Sequence, residues 1–120
     1  MLLSEQRKIN NFVRDYADKH FRQDLNKIKI SSANSTDHNL QVCRICCVLT
    51  KYHIPFMTEF KTKFGLRFDI ATPTHTVKFI EVLGTETKVK FKEFKLPKLP
   101  SELKNEYYLI TTKERPEIVL

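Results

Sequence analysis

Three carboxylates fall one each on three successive apolar segments. They are Glu59 in 56-FMTEFKT-62, Asp69 in 66-LRFDIAT-72 and Glu81 in 76-TVKFIEVL-83. Asp69 stands between Phe68 and Ile70, and Glu81 between Ile80 and Val82, all neighbours that favour burial. A carboxylate taken out of water without a partner is expensive, so these positions need a reason. Adjacent strands lie about 4.8 Å apart, and a suitable register would bring the three acids within reach of one small cation. Mg²⁺ or Mn²⁺ suits such a place, because it takes oxygen ligands, keeps several waters and needs few protein carboxylates. The competing reading puts each acid at a strand end, facing solvent beside a lysine. Alternation supports that reading for any one acid, and less well for three together.

The positioning elements follow from pattern. Apolar residues at Ile9, Phe12, Val13, Tyr16, Ala17 and Phe21 mark one face of a helix from Ser4 to about Phe21, with Ser4 as its cap. The loop 31-SSANSTDHN-39 is rich in Ser, Asn and Asp, and Thr36 or Asp37 can cap a second helix through 40-LQVCRICCVLTKY-52. That helix is apolar almost all round, which predicts burial against more than one neighbour; Pro55 ends it. Three strands then follow, joined at Lys63-Phe64-Gly65 and Pro73-Thr74-His75. In the first strand, alternation points Phe56, Thr58 and Phe60 one way and Met57, Glu59 and Lys61 the other. The third strand is the most apolar and is expected at the centre of the sheet. After Gly84 comes 85-TETKVKFKEFKLPKLP-100, a short helix or irregular arm, and 106-EYYLITT-112 reads as a fourth strand.

Length and composition set the outer bounds. A chain of 120 residues with 41% apolar content makes one domain with a modest core. No apolar run approaches the roughly eighteen residues of a membrane span. The start MLLSEQRKIN turns charged too early for a secretory signal, so an intracellular protein, cytoplasmic or nuclear, is expected. Lys plus Arg number 21 against 14 acids, a net charge of +7. Such an excess favours a polyanion partner, nucleic acid before membrane. Lys88, Lys90, Lys92 and Lys95 beside Phe91 and Phe94 suit phosphate contacts; the rings are expected to pack on the sheet.

The helix, the Asp strand and the Glu strand in this order resemble the core of the PD-(D/E)XK nuclease superfamily, which includes restriction endonucleases and archaeal Holliday-junction resolvases. The resemblance covers about residues 37–112 and leaves residues 1–30 as an N-terminal helical extension. It implies an α/β or α+β fold, a small mixed sheet flanked by helices. It also implies that Asp69 and Glu81 are the two metal-binding acids, with Glu59 accessory and His38 near the place where members often carry another acid. The implied reaction is phosphodiester hydrolysis assisted by Mg²⁺ or Mn²⁺, on DNA ahead of RNA, in a chain that can act as a homodimer. The family's lysine belongs two residues after the second acid, where this chain has Leu83. Lys61 is the first substitute to consider, since it shares a strand face with Glu59; Arg67 and Lys88 follow, and strand parity turns Lys78 away. Lys63, Arg67 and the lysines from Lys88 to Lys95 are the expected nucleic-acid contacts.

Other chemistries are weaker. Cys43, Cys46 and Cys47, with His38 and His53 nearby, lack the second cysteine pair of a zinc site and read as small core residues. Gly65 and Gly84 are the only glycines, so no glycine-rich phosphate loop exists. The alternative to a nuclease is a nucleic-acid-binding or assembly module that kept the fold and lost the lysine. A third reading is a protein-binding module whose charge is incidental.

Overall fold

The computed structural model describes residues 2–22, 24–84 and 87–120. Thr85 and Glu86, which open the lysine-rich stretch, lie outside them. The fold is α+β: helices α1 (Leu3–Tyr16) and α2 (Thr36–Lys51), strands β1 (Met57–Lys61), β2 (Arg67–Ala71) and β3 (Phe79–Leu83), a short helix α3 (Lys88–Lys90), and strand β4 (Tyr107–Thr111). A π turn, Phe91–Lys95, continues α3 and is followed by the 3₁₀ turn Leu96–Lys98. The sheet order is β1-β2-β3-β4. The first two pairings are antiparallel, and β4 runs parallel to β3, as a crossover through α3 requires.

The sheet is buried on both faces. One face packs Phe60, Phe68, Phe79 and Leu83 against Ile9 and Phe12 of α1 and Phe91 of the π turn. Phe68 and Phe79 stack with ring centroids 4.3 Å apart. The other face packs Ile70, Ile80, Val82 and Ile110 against Val42, Ile45, Cys46 and Leu49 of α2. Two apolar faces on a short sheet need a layer of helix on each side, and the chain supplies both. All five residues of β3 are buried, as its composition predicts for a central strand.

Four local expectations are corrected. Helix α1 ends at Tyr16, not Phe21, because the chain turns extended at Ala17 and bonds to the end of β1: Asp18 N–H donates to Lys61 O at 2.8 Å and Lys63 N–H to Tyr16 O at 3.0 Å. Leu2, not Ser4, holds the N-cap position of that helix, without a side-chain cap. Ser35 caps α2, its hydroxyl accepting from His38 N–H at 3.1 Å, so Thr36 and Asp37 lie inside the helix. Helix α2 buries one face only, and of its cysteines Cys46 alone is buried while Cys47 is exposed.

The alternation expected of β1 also fails. Phe60 joins the core around Met57, not the one containing Phe56. Glu59 between them has φ of 51°, a left-handed conformation that reverses the side-chain sequence at that point. The edge of β1 beside it is covered by residues 26–29: Asn26 N–H donates to Phe56 O, and Thr58 Oγ1 donates to Lys27 O and accepts from Lys29 N–H.

Candidate functional site

Strands β2 and β3 pair at Ala71 with Phe79 and at Ile70 with Ile80, and there the ladder stops. The next pair in register would be Asp69 with Glu81. At that point the carboxylates do the work of ladder carbonyls. Asp69 N–H donates to Glu81 Oε1 at 3.2 Å, and Val82 N–H donates to Asp69 Oδ2 at 2.8 Å. Beyond, β3 stays bonded to β4 through Leu83 and Thr111. The strands therefore part over the two acids, and a cleft of roughly 420 Å³ opens there.

His38, Glu59, Arg67, Asp69, Glu81 and Lys95 line this cleft. His38 comes from the first turn of α2, held by the Ser35 cap. Its Nε2 lies 3.3 Å from Asp69 Oδ2, while its buried Nδ1 has no hydrogen-bond partner among the described residues. Lys95 comes from the π turn and its Nζ donates to Glu81 Oε2 at 3.3 Å. The turn explains how it arrives: Phe91 is fully buried in the core, and Lys95, four residues on, lies over the same side with its ammonium 5.9 Å from the Phe91 ring. Wide turns of this kind recur at functional positions in helices. Glu59 is reached by Arg67, Nη1 to Oε2 at 3.7 Å, an ion pair on the open side of the cleft.

Electrostatics separate the two central acids. Burial, and then the neighbouring Asp69 carboxylate, push Glu81 well above the ordinary carboxylate range, against the pull of Lys95. Burial also opposes ionisation of Asp69, but bonds from His38, Glu81 and the Val82 amide outweigh it and hold Asp69 below its ordinary value. His38 is raised by its bond to Asp69, which exceeds the effect of its own burial. The two shifts favour the proton on Glu81 over Asp69. The arrangement is a carboxyl pair whose members are driven apart.

The sequence-predicted residues divide clearly. Asp69, Glu81 and Glu59 share the cleft, as does Arg67. Lys95 lines it too and reaches Glu81, although the sequence marked it only as a phosphate contact. Lys61 is exposed, opposite Arg67 in the β1–β2 register, and is not among the lining residues. Lys63 reaches Arg14 O at 3.5 Å, and Lys88 lies 3.9 Å from Glu114. Lys90 and Lys92 are exposed outside the cleft. Lys78 turns away as parity requires, donating to His75 O at 2.6 Å. The signal for Lys95 was its spacing of four from Phe91, unreadable without knowing which phenylalanine is buried.

Among the described residues no three His, Cys, Asp or Glu side chains form a ready cage. Asp69 and Glu81 supply two carboxylates, which fits a hard ion that completes its shell with water and substrate oxygens. The cysteines form no metal group either, and burial pushes the Cys46 thiol up to about 12.

No family model, no curated protein and no solved structure matches this chain. No described helix is long and apolar enough to cross a membrane.

Proposed function

We propose that this chain is a metal-dependent nuclease-like protein with a PD-(D/E)XK-like core in which the lysine has moved from β3 to the π turn. The observation that carries the reading is the meeting of Asp69, Glu81 and Lys95 in one cleft, with the ammonium 3.3 Å from the second acid. Leu83, where the family's lysine belongs, is buried in the core. The mixed sheet between helices, with α2 leading into β1, supports the same reading.

Asp69 and Glu81 would hold a Mg²⁺ or Mn²⁺ ion, whose chemistry when bound is to polarise a phosphate oxygen and acidify a water. Lys95 supplies the positive charge that meets the phosphate as negative charge develops on it. His38 fixes the Asp69 carboxylate through Nε2 and favours its ionised form. Glu81 must release its proton before it can serve as a ligand, and Lys95 lowers the cost of doing so.

The second reading, a nucleic-acid-binding module without hydrolysis, is favoured by one feature. Both acids already accept bonds from protein donors, Asp69 from Val82 N–H and Glu81 from Asp69 N–H and Lys95. Thermal melting with and without Mn²⁺ separates the two. The nuclease reading expects a Mn²⁺-dependent rise in melting temperature that Asp69→Asn removes. Melting unchanged by millimolar Mn²⁺ or Mg²⁺, together with no cleavage of DNA, sinks it.

A further inference from the structure

The helical segment that brings Lys95 to the carboxylates also walls a second opening. A groove of roughly 310 Å³ lies beside β4, the outer strand of the sheet, lined chiefly by Lys88, Lys92, Lys104, Asn105, Tyr107 and Tyr108. Among the described residues no carboxylate lines it. Among the described residues the one acid paired with its lysines is Glu114, 3.9 Å from Lys88 Nζ, and Lys92 and Lys104 have no ion-pair partner. Lys88 and Lys92 are one helical turn apart, so their side chains rise from one face. Three ammonium groups with amide and phenol donors compose a site for an anion.

Which anion is decided by continuity with the cleft. Lys88 to Lys95 spans seven residues, about 10 Å of helix at about 1.5 Å per residue. That distance is short enough for one strand to bridge groove and cleft within a few nucleotides. Phe94, 66% exposed between Lys92 and Lys95, offers a ring to an unpaired base on that path.

We propose that this groove holds the sugar–phosphate backbone of the nucleic-acid strand whose phosphodiester occupies the carboxylate cleft. The inference rests on the nuclease reading for the occupant of the cleft, but its test needs no cleavage. Fluorescence anisotropy of a labelled short single-stranded oligonucleotide, in EDTA across a salt series, compares the native chain with Lys92→Ala/Lys104→Ala, Lys92→Arg/Lys104→Arg and Lys27→Ala/Lys51→Ala. Two lost phosphate contacts reduce the slope of log K against log salt by about 1.4, at roughly 0.7 per contact on a single strand. The arginine pair retains the native slope, and the distant alanine pair leaves it unchanged.

An unchanged slope in Lys92→Ala/Lys104→Ala overturns the groove while leaving Asp69, Glu81 and Lys95 to their own test. Equal competition by polyglutamate or phosphatidylserine vesicles overturns the assignment to a nucleic-acid strand. A native chain that cleaves DNA but binds no oligonucleotide sinks the groove alone. One that neither binds nor cleaves sinks the reading beneath it as well.

Discussion

Asp69 and Glu81 face each other where β2 and β3 part, and each binds the other's strand: Glu81 Oε1 accepts from Asp69 N–H, and Asp69 Oδ2 accepts from Val82 N–H. A buried and a half-buried acid thereby bridge the two strands where their ladder stops. The same bonds orient both carboxylates toward the cleft. Structure and chemistry share one set of contacts, so the stability of this place and its function are expected to move together.

The pH dependence of stability follows from those contacts. Glu81 titrates above its ordinary value of 4.5 in the folded chain, so between 4.5 and its folded value the native state holds a proton that the unfolded state has released. Stability falls with rising pH across that window. His38 acts in the same direction: its contribution is full below 6.5 and is lost as pH rises through its raised folded value. Asp69 acts oppositely, contributing above 3.8 and losing that contribution as acid protonates it. Urea unfolding from about pH 5 to about pH 8 should therefore show declining stability. Glu81→Gln should flatten the decline and exceed the native chain by about 1–2 kcal/mol at the alkaline end. A native curve that rises over this range contradicts the assignment of the proton to Glu81.

Backbone strain at Glu59 gives a second test. Its φ of 51° in the middle of a strand is costly for any residue with a Cβ. Glu59→Gly should be more stable than Glu59→Ala by about 1 kcal/mol, and Glu59→Val less stable than either. The ion pair with Arg67 is lost equally in all three, and the 64% exposure of Arg67 makes that loss small. The order Val above Gly in denaturant midpoint would remove the left-handed residue from the account.

Thiol reactivity is the third. Cys47 is exposed, whereas Cys46 is buried with its thiol pushed up to about 12. A disulfide reagent at neutral pH should modify Cys47 in the native chain and reach Cys46 only on unfolding. Early modification of Cys46, mapped by mass spectrometry, would show that α2 does not dock as described.

Much of this was legible in the sequence because it rests on short-range pattern. Strands β1 to β4 fall within the predicted segments, since short apolar runs and the breaks at Gly65 and Pro73 are local signals. Asp69 and Glu81 were readable as a pair from acids set among residues that bury. What escaped depends on tertiary contacts. Helix α1 stops at Tyr16 because β1 offers Asp18 a carbonyl partner. Phe60 changes face because Glu59 adopts a conformation that no pattern announces. Lys95 enters the cleft because Phe91, and not the 66% exposed Phe94, is buried. Strand parity made Lys61 the natural substitute, yet the reversal at Glu59 means that parity does not carry across β1.

The most direct measurement is Mg²⁺- or Mn²⁺-dependent cleavage of plasmid and branched DNA by the native chain, Asp69→Ala, Lys95→Met and Lys61→Met. The account predicts that Asp69→Ala abolishes cleavage, that Lys95→Met lowers its rate by about 10²–10³ through loss of charge at the phosphate, and that Lys61→Met stays near the native rate. Cleavage that survives Lys95→Met but falls with Lys61→Met, or a well-folded native chain that cleaves nothing with either metal, would contradict it.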